Sequence, residues 1–113
     1  MTLREKVFQT FVCSVRTWAE AGVDTTGIDH WTLTQGLAGT PMLSLEPEVA
    51  EMISRERFGG MIFYGENCSE GNQKLLELAN DMQRANQNTD SECVIPLLMA
   101  ADQEGGEVAR LCE

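Results

Sequence analysis

An α/β fold with parallel strands is what this sequence predicts, and three observations carry the prediction. Met61-Ile62-Phe63-Tyr64 and Val94-Ile95-Pro96-Leu97-Leu98-Met99-Ala100-Ala101 are uncharged runs, apolar apart from Pro96, the pattern of strands buried on both faces. Between them Leu75, Leu78, Ala79, Met82 and Ala85 recur at three and four residues, which is one face of a helix over about 69–87. Strand, helix and strand in that order make a crossover unit, with parallel strands and a right-handed connection.

The chain has 113 residues, 42% hydrophobic and 23% charged, with no low-complexity tract and no internal repeat. Such a composition suits a globular domain with a core. The net charge of -10, with eight Lys and Arg scattered along the chain, argues against a nucleic-acid partner. Met1-Thr2-Leu3-Arg4-Glu5-Lys6 lacks the apolar core of a signal peptide, and no run reaches the length of a membrane span. The expectation is a cytoplasmic protein without a membrane partner. Cys13, Cys68, Cys93 and Cys112 show none of the close pairing that zinc ligands adopt, and His30 is the only histidine, so reduced thiols and no metal are expected. Asn67-Cys68-Ser69 is a glycosylation sequon that has no role without export.

In chain order, Thr2-Leu3-Arg4-Glu5 is a capping box that opens a helix running to about Gln9. Thr10-Phe11-Val12-Cys13-Ser14-Val15 has the β-branched and aromatic content of a first strand. The stretch 16–45 is read as an irregular loop or insertion, punctuated by Gly22, Gly27, Gly36, Gly39 and Pro41. Trp18 and Trp31 within it are either a sugar-stacking platform or anchors of a long loop, the second reading being favoured; His30 beside Asp29 reads as a surface histidine. Asp24-Thr25-Thr26-Gly27-Ile28-Asp29 lacks calcium-loop spacing. Glu46 to Arg57 is a helix with proline in its first turn, acids early and arginines late. Val49, Met52, Ile53 and Glu56 share its inner face. Phe58-Gly59-Gly60 ends it, Met61 to Tyr64 is the second strand, and Gly65-Glu66-Asn67 turns away from that strand's carboxyl end. After the long helix, Asn86-Gln87-Asn88-Thr89-Asp90 is the return loop. In the third strand Pro96 lacks an N–H and belongs near the start, which leaves Leu97 to Ala101 as the hydrogen-bonded part.

Immediately after that strand the polarity switches to Asp102-Gln103-Glu104-Gly105-Gly106, followed by Val108 and Arg110-Leu111. This run resembles the third-strand motif of family 3 glycoside hydrolases, in particular their β-N-acetylhexosaminidase branch. Leu3-Arg4-Glu5-Lys6-Val7 with the first strand, and the Gly59-Gly60 strand with its Asn67 loop, resemble the same family's opening segments. The resemblance covers 2–15 and roughly 39–111. It implies the first three β/α units of a TIM-type (β/α)8 barrel, incomplete, since a whole barrel takes about 250 residues. Residues 1–113 are thus expected to form a partial domain of that family.

Polar residues after strand carboxyl ends form the sites of parallel α/β structures, which makes Asp102 the best-placed functional residue. A carboxylate can accept from two sugar hydroxyls, and a guanidinium can grip an oxygen of the same ring. In the family, the positions matching Asp102 and Arg110 bind the sugar where cleavage occurs. Gly105-Gly106 is read either as a tight turn into a following helix or as a place of close approach for substrate. Asp102 itself has a structural alternative as a cap for that turn. Gln103 and Glu104 are expected to support the loop. Glu66 and Glu107 stand where the family often has Arg, and Ala109 where it often has Gln, so subsite electrostatics are expected to differ.

A retaining glycosidase needs a nucleophile and an acid/base group. In the hexosaminidase branch these are an Asp and a His paired with an Asp, contributed beyond the third strand, and no residue here matches them. The family uses no metal or organic cofactor. The expected ligand is an N-acetylglucosamine-containing glycoconjugate, held weakly by this chain alone. Two function classes stay open: the amino-terminal portion of a glycosidase, or a non-catalytic α/β module or truncated remnant. Exposed sheet edges are expected to favour self-association or a complementing chain.

Overall fold

The computed structural model describes residues 1–18, 39–91 and 93–111. His30, Trp31, Cys112 and the Asp24 to Asp29 segment lie outside the described residues, as does most of the 16–45 stretch. The elements in chain order are α1 (Leu3–Phe8), β1 (Val12–Cys13), β2 (Thr17–Trp18), β3 (Thr40–Pro41), α2 (Pro47–Glu56), β4 (Gly60–Phe63), α3 (Asn72–Gln87), β5 (Leu98–Ala101), β6 (Gln103–Gly105) and β7 (Val108–Ala109). Strands β1, β4 and β5 make one sheet in that order, and both pairings are parallel. This is the α/β arrangement that the two apolar runs and the intervening helix predict.

The reciprocal cap of α1 forms as read: Thr2 Oγ1 accepts from the Glu5 amide at 3.2 Å, and the Glu5 carboxylate accepts from the Thr2 amide. No residue of α1 is buried, so the helix is held by its ends. Phe8 packs on Phe58 with ring centroids 5.6 Å apart, and Arg4 pairs with Glu56 of α2. Gln9 Nε2 donates to the carbonyls of Arg57 (2.8 Å) and Phe58 (3.2 Å). A Cβ on Gly59 would lie 2.0 Å from the Gln9 carbonyl oxygen, so this glycine is required by the close approach of the amino-terminal segment. It does not end the preceding helix, as the sequence reading has it. Arg57 does that, in the left-handed region at φ 60, with its amide donating to the Ile53 carbonyl. Nor does Arg57 act as an exposed cation of the last turn: it is 2% exposed, and its Nη2 donates to the Cys93 carbonyl at 2.9 Å.

Helices α2 and α3 cover one face of the sheet and pack on each other. Val49 and Ile53 of α2, Met61 and Phe63 of β4, and Leu75, Leu78 and Met82 of α3 form the core with Met42, Phe58 and Leu97. These are the periodic positions of the two helices, because three- and four-residue spacing keeps side chains on one side. Just before β5, Gln83 replaces a strand partner for Leu97. Its Nε2 donates to the Leu97 carbonyl at 2.8 Å and its Oε1 accepts from the Leu97 amide at 3.0 Å. The ladder itself therefore begins at Leu98.

Among the described residues nothing covers the opposite face of the sheet. Side chains alternate along a strand, so the row Val12, Gly60, Leu98 points away from the row Cys13, Met61, Met99 that meets the helices. Val12 is 50% exposed and Leu98 62%. The expectation of strands buried on both faces fails for β5: it is an edge strand, and the helices lie on one side only. Val94 and Ile95 are also exposed. The described ends of the 16–45 stretch are likewise not irregular. Thr17↔Pro41 and Trp18↔Thr40 make a short antiparallel ladder, where Pro41 is tolerated because β3 is an edge. Trp18 is half-buried and packs on the core, which is an anchoring contact. Among the described residues, no helix is long and apolar enough to cross a membrane.

Replacing Gln83 with Ala leaves a buried amide and carbonyl of Leu97 without partners, at a cost of about 1–3 kcal/mol. Urea denaturation should show a lowered midpoint with an unchanged slope. Asn80→Ala, on the exposed side of the same helix, should shift stability by less than roughly 0.5 kcal/mol.

Candidate functional site at the carboxyl edge of the sheet

Parallel strands deliver their following residues to one edge. Carrying the register Val12, Gly60, Leu98 forward by two pleats aligns Arg16, Tyr64 and Asp102 just beyond the ladder, on the open face. The Arg16 guanidinium indeed lies over the Tyr64 ring, 4.6 Å from its centroid. The edge is thus lined by an arginine after β1, a tyrosine and turn after β4, and a carboxylate after β5.

The turn after β4 is fixed by Asn67, which is 1% exposed. Its Oδ1 accepts from the Tyr64 amide at 3.1 Å, and its Nδ2 donates to the carbonyls of Val15 and Met42, both at 3.0 Å. One side chain thereby ties together the segments after β1, β3 and β4. Beside it Arg16 grips Glu66 with two bonds, Nε to Oε2 at 3.0 Å and Nη2 to Oε1 at 2.7 Å. This hydrogen-bonded guanidinium holds the Glu66 carboxyl below the usual carboxylate range; partial burial opposes the effect and the Arg110 charge adds to it. Arg16 is correspondingly pushed up. The acid at position 66 therefore does not leave the edge without a basic group, because Arg16 reaches it from the loop after β1.

After β5 the chain makes an antiparallel hairpin, β6 with β7, pairing Gln103↔Ala109 and Gly105↔Val108. Gly105 and Gly106 both have positive φ, 80 and 61, which turns the chain back on itself at Gly106-Glu107. The tight turn expected at the glycine pair is present, but it leads into a strand and not a helix. The Gln103 side chain stabilises the return: its Oε1 accepts from the amides of Arg110 (2.8 Å) and Leu111 (3.0 Å). These bonds take up the backbone groups that a helix would need.

Asp102 and Arg110 flank the Gln103↔Ala109 pair at the open base of the hairpin, both half-buried. Among the described residues Asp102 has no hydrogen-bond or ion-pair partner, so it does not act there as a cap. Arg110 lays its guanidinium on Gly65, and its buried Nε also lacks a partner among them. An acceptor-only carboxylate beside a fork of N–H donors can engage a ring hydroxyl and a carbonyl together. Asp102 and Arg110, singled out from the sequence, stand at this edge together with Arg16, Tyr64, Asn67 and Glu66, whose contacts sequence reasoning does not give. Arg16 and Tyr64 carried a usable signal, as each follows directly on a strand's apolar run.

Cys13 and Cys68 are half-buried and Cys93 exposed, and burial pushes the Cys13 thiol up. Among the described residues no group of three or more His, Cys, Asp or Glu is placed to hold a metal ion. A groove of about 440 Å³ lies on the helix side of β5, lined by Phe63, Leu75, Leu76, Ala79, Met99 and Leu111 among others. Its lining is apolar and offers little to a sugar.

Comparison with known proteins gives two findings. The family pattern described as Glycosyl hydrolase family 3 N terminal domain matches residues 2–113. The chain is also 43% identical over 70 residues to Beta-hexosaminidase A of Pseudoalteromonas piscicida. That stretch is 62% of this chain and 11% of the length of the relative.

The depressed Glu66 carboxyl links folding to pH. Because its folded value lies below the unfolded one, its contribution is present above the ordinary carboxylate range and is lost as pH falls through the folded value. Acid titration of stability should therefore be shallower for Arg16→Ala than for the unaltered chain, with the difference confined to the carboxylate range and below.

Proposed function

The chain belongs to the family of the glycosyl hydrolase family 3 N-terminal domain, and from that premise we propose that it is the amino-terminal portion of a β-N-acetylhexosaminidase-type glycosidase, carrying part of the sugar-binding subsite. On this reading β1, β4 and β5 are the first three strands of a (β/α)8 barrel, whose sites lie at the carboxyl ends of the strands. The observation that carries the proposal is Asp102: half-buried, unpartnered among the described residues, and set beside Arg110 at that edge. Partial homology to Beta-hexosaminidase A supports the choice of an N-acetylhexosaminide as ligand.

Hydrolysis is assigned to groups outside this chain. A retaining mechanism needs a nucleophilic carboxylate and an acid/base partner in addition to the sugar contacts. Asp102 and Arg110 serve in this proposal as binding groups only. Arg16 spends its Nε–Nη2 edge on Glu66 and serves in this proposal to hold the turn after β4.

A second reading concerns partners, and the open face of the sheet favours it. Val12 and Leu98 stand exposed in one row, and among the described residues β1 and β5 each have an unpaired edge. Further β/α units, on the same polypeptide or on a complementing one, would cover both. Without them the chain should pair with itself.

Three measurements test these readings. On adding N-acetylglucosamine, amide shifts should move at Asp102, Gly105, Gly106 and Arg110, and the 113-residue chain should release no nitrophenol from a β-N-acetylglucosaminide. Asp102→Ala should weaken the binding by about tenfold or more, as expected for losing one charge-assisted hydrogen bond. Unmoved shifts at saturating sugar in a folded chain would exclude the subsite. In sedimentation velocity the chain should self-associate over a hundredfold range of concentration; a compact monomer throughout contradicts the partner reading.

A further inference from the structure

We propose that the turn residues Gly65 and Glu66 are positioning residues for Arg110, Gly65 by leaving room for its guanidinium and Glu66 by supplying the negative charge beside it. The inference rests on the sugar-subsite reading of Arg110 and deepens it.

Arg110 stands on the hairpin and Gly65 on the turn after β4, so the contact crosses between two separate elements. A Cβ built on Gly65 would lie 2.9 Å from Arg110 Nη1 and 3.6 Å from its Cζ. The approach to Nη1 is too short for a methyl group facing an undisturbed guanidinium, while that to Cζ is ordinary contact. The obstructed atom is the far end of a flexible side chain, and Gly65 is not in the left-handed region, so alanine there is tolerated by the backbone. It would displace the head of Arg110 and nothing else.

Electrostatics points the same way. Two guanidinium groups, Arg16 and Arg110, approach this turn, and like charges without a counterion repel. Glu66 is bonded twice by Arg16, and the Arg110 charge helps lower its carboxyl, so one carboxylate compensates both. Meanwhile the Gln103 bonds fix the Arg110 backbone. The side chain is thereby pinned at its root by the hairpin and at its head by the turn, with a buried Nε that has no acceptor among the described residues. Because Glu66 spends its oxygens on Arg16, Arg110 keeps N–H donors for a ligand.

The test is a double-mutant cycle on the 113-residue chain, with N-acetylglucosamine as the probe. Gly65→Ala and Glu66→Gln should each weaken binding by about tenfold, the order expected for one misplaced charge-assisted hydrogen bond. In an Arg110→Ala background neither should weaken it further. In sugar-free protein both should displace or broaden the Arg110 Nε–Hε resonance, while amide spectra remain those of a folded chain. Equal losses with and without Arg110, or an unmoved Nε–Hε resonance, overturn the proposal. If the unaltered chain binds no sugar, the subsite reading falls, and the Arg110 resonance in the sugar-free variants still decides the positioning: displaced, it supports the cradle; unmoved, it overturns it.

Discussion

The parallel register of β1, β4 and β5 constrains everything else in this molecule. Once Val12, Gly60 and Leu98 stand in one row, residues the same distance along each strand share a face, and the three segments that follow the strands leave from one edge. Helices α2 and α3 then occupy one side, because both are crossovers between neighbouring parallel strands. The side they leave uncovered carries Val12, Ile62, Leu98 and Ala100, and at its carboxyl edge Arg16, Tyr64 and Asp102. Core and candidate site are consequences of the same alignment.

That edge is organised by polar side chains that replace backbone structure. Asn67 satisfies groups from three segments, Gln103 two amides of the returning chain, and Gln83 both backbone groups of Leu97. Each stands where a regular ladder stops and takes up peptide groups that the ladder leaves. Amides suit the task because they both donate and accept. Beside them Arg16 is paired with Glu66.

The open face sets the cost of this design. A parallel sheet ordinarily has cover on both sides, and here one side presents aliphatic groups to water. The core on the helix side is contiguous, running from Val49 and Ile53 through Met61 and Phe63 to Leu78 and Met82. Stability therefore comes from one layer of packing and its amide clamps.

By itself the sequence determined the α/β class, the two apolar strands, the faces of both long helices, the reciprocal cap of α1 and the place of Asp102. These are local properties, set by periodicity, capping chemistry and the change from apolar to polar residues at a strand's end. Tertiary structure alone decided that Arg57 is buried in the left-handed region and that Gly59 is needed by Gln9. It also decided that Leu98 is exposed, that Gly105-Gly106 turns into a hairpin, and that Arg16 meets Glu66. In each case the cause is a partner far away in the chain. The periodicity of β5 says that it is apolar, but only the number of strands and the side taken by the helices say which of its faces is covered. Arg16 and Glu66 are fifty residues apart, and nothing in either local stretch encodes the pairing that the shared edge imposes on them.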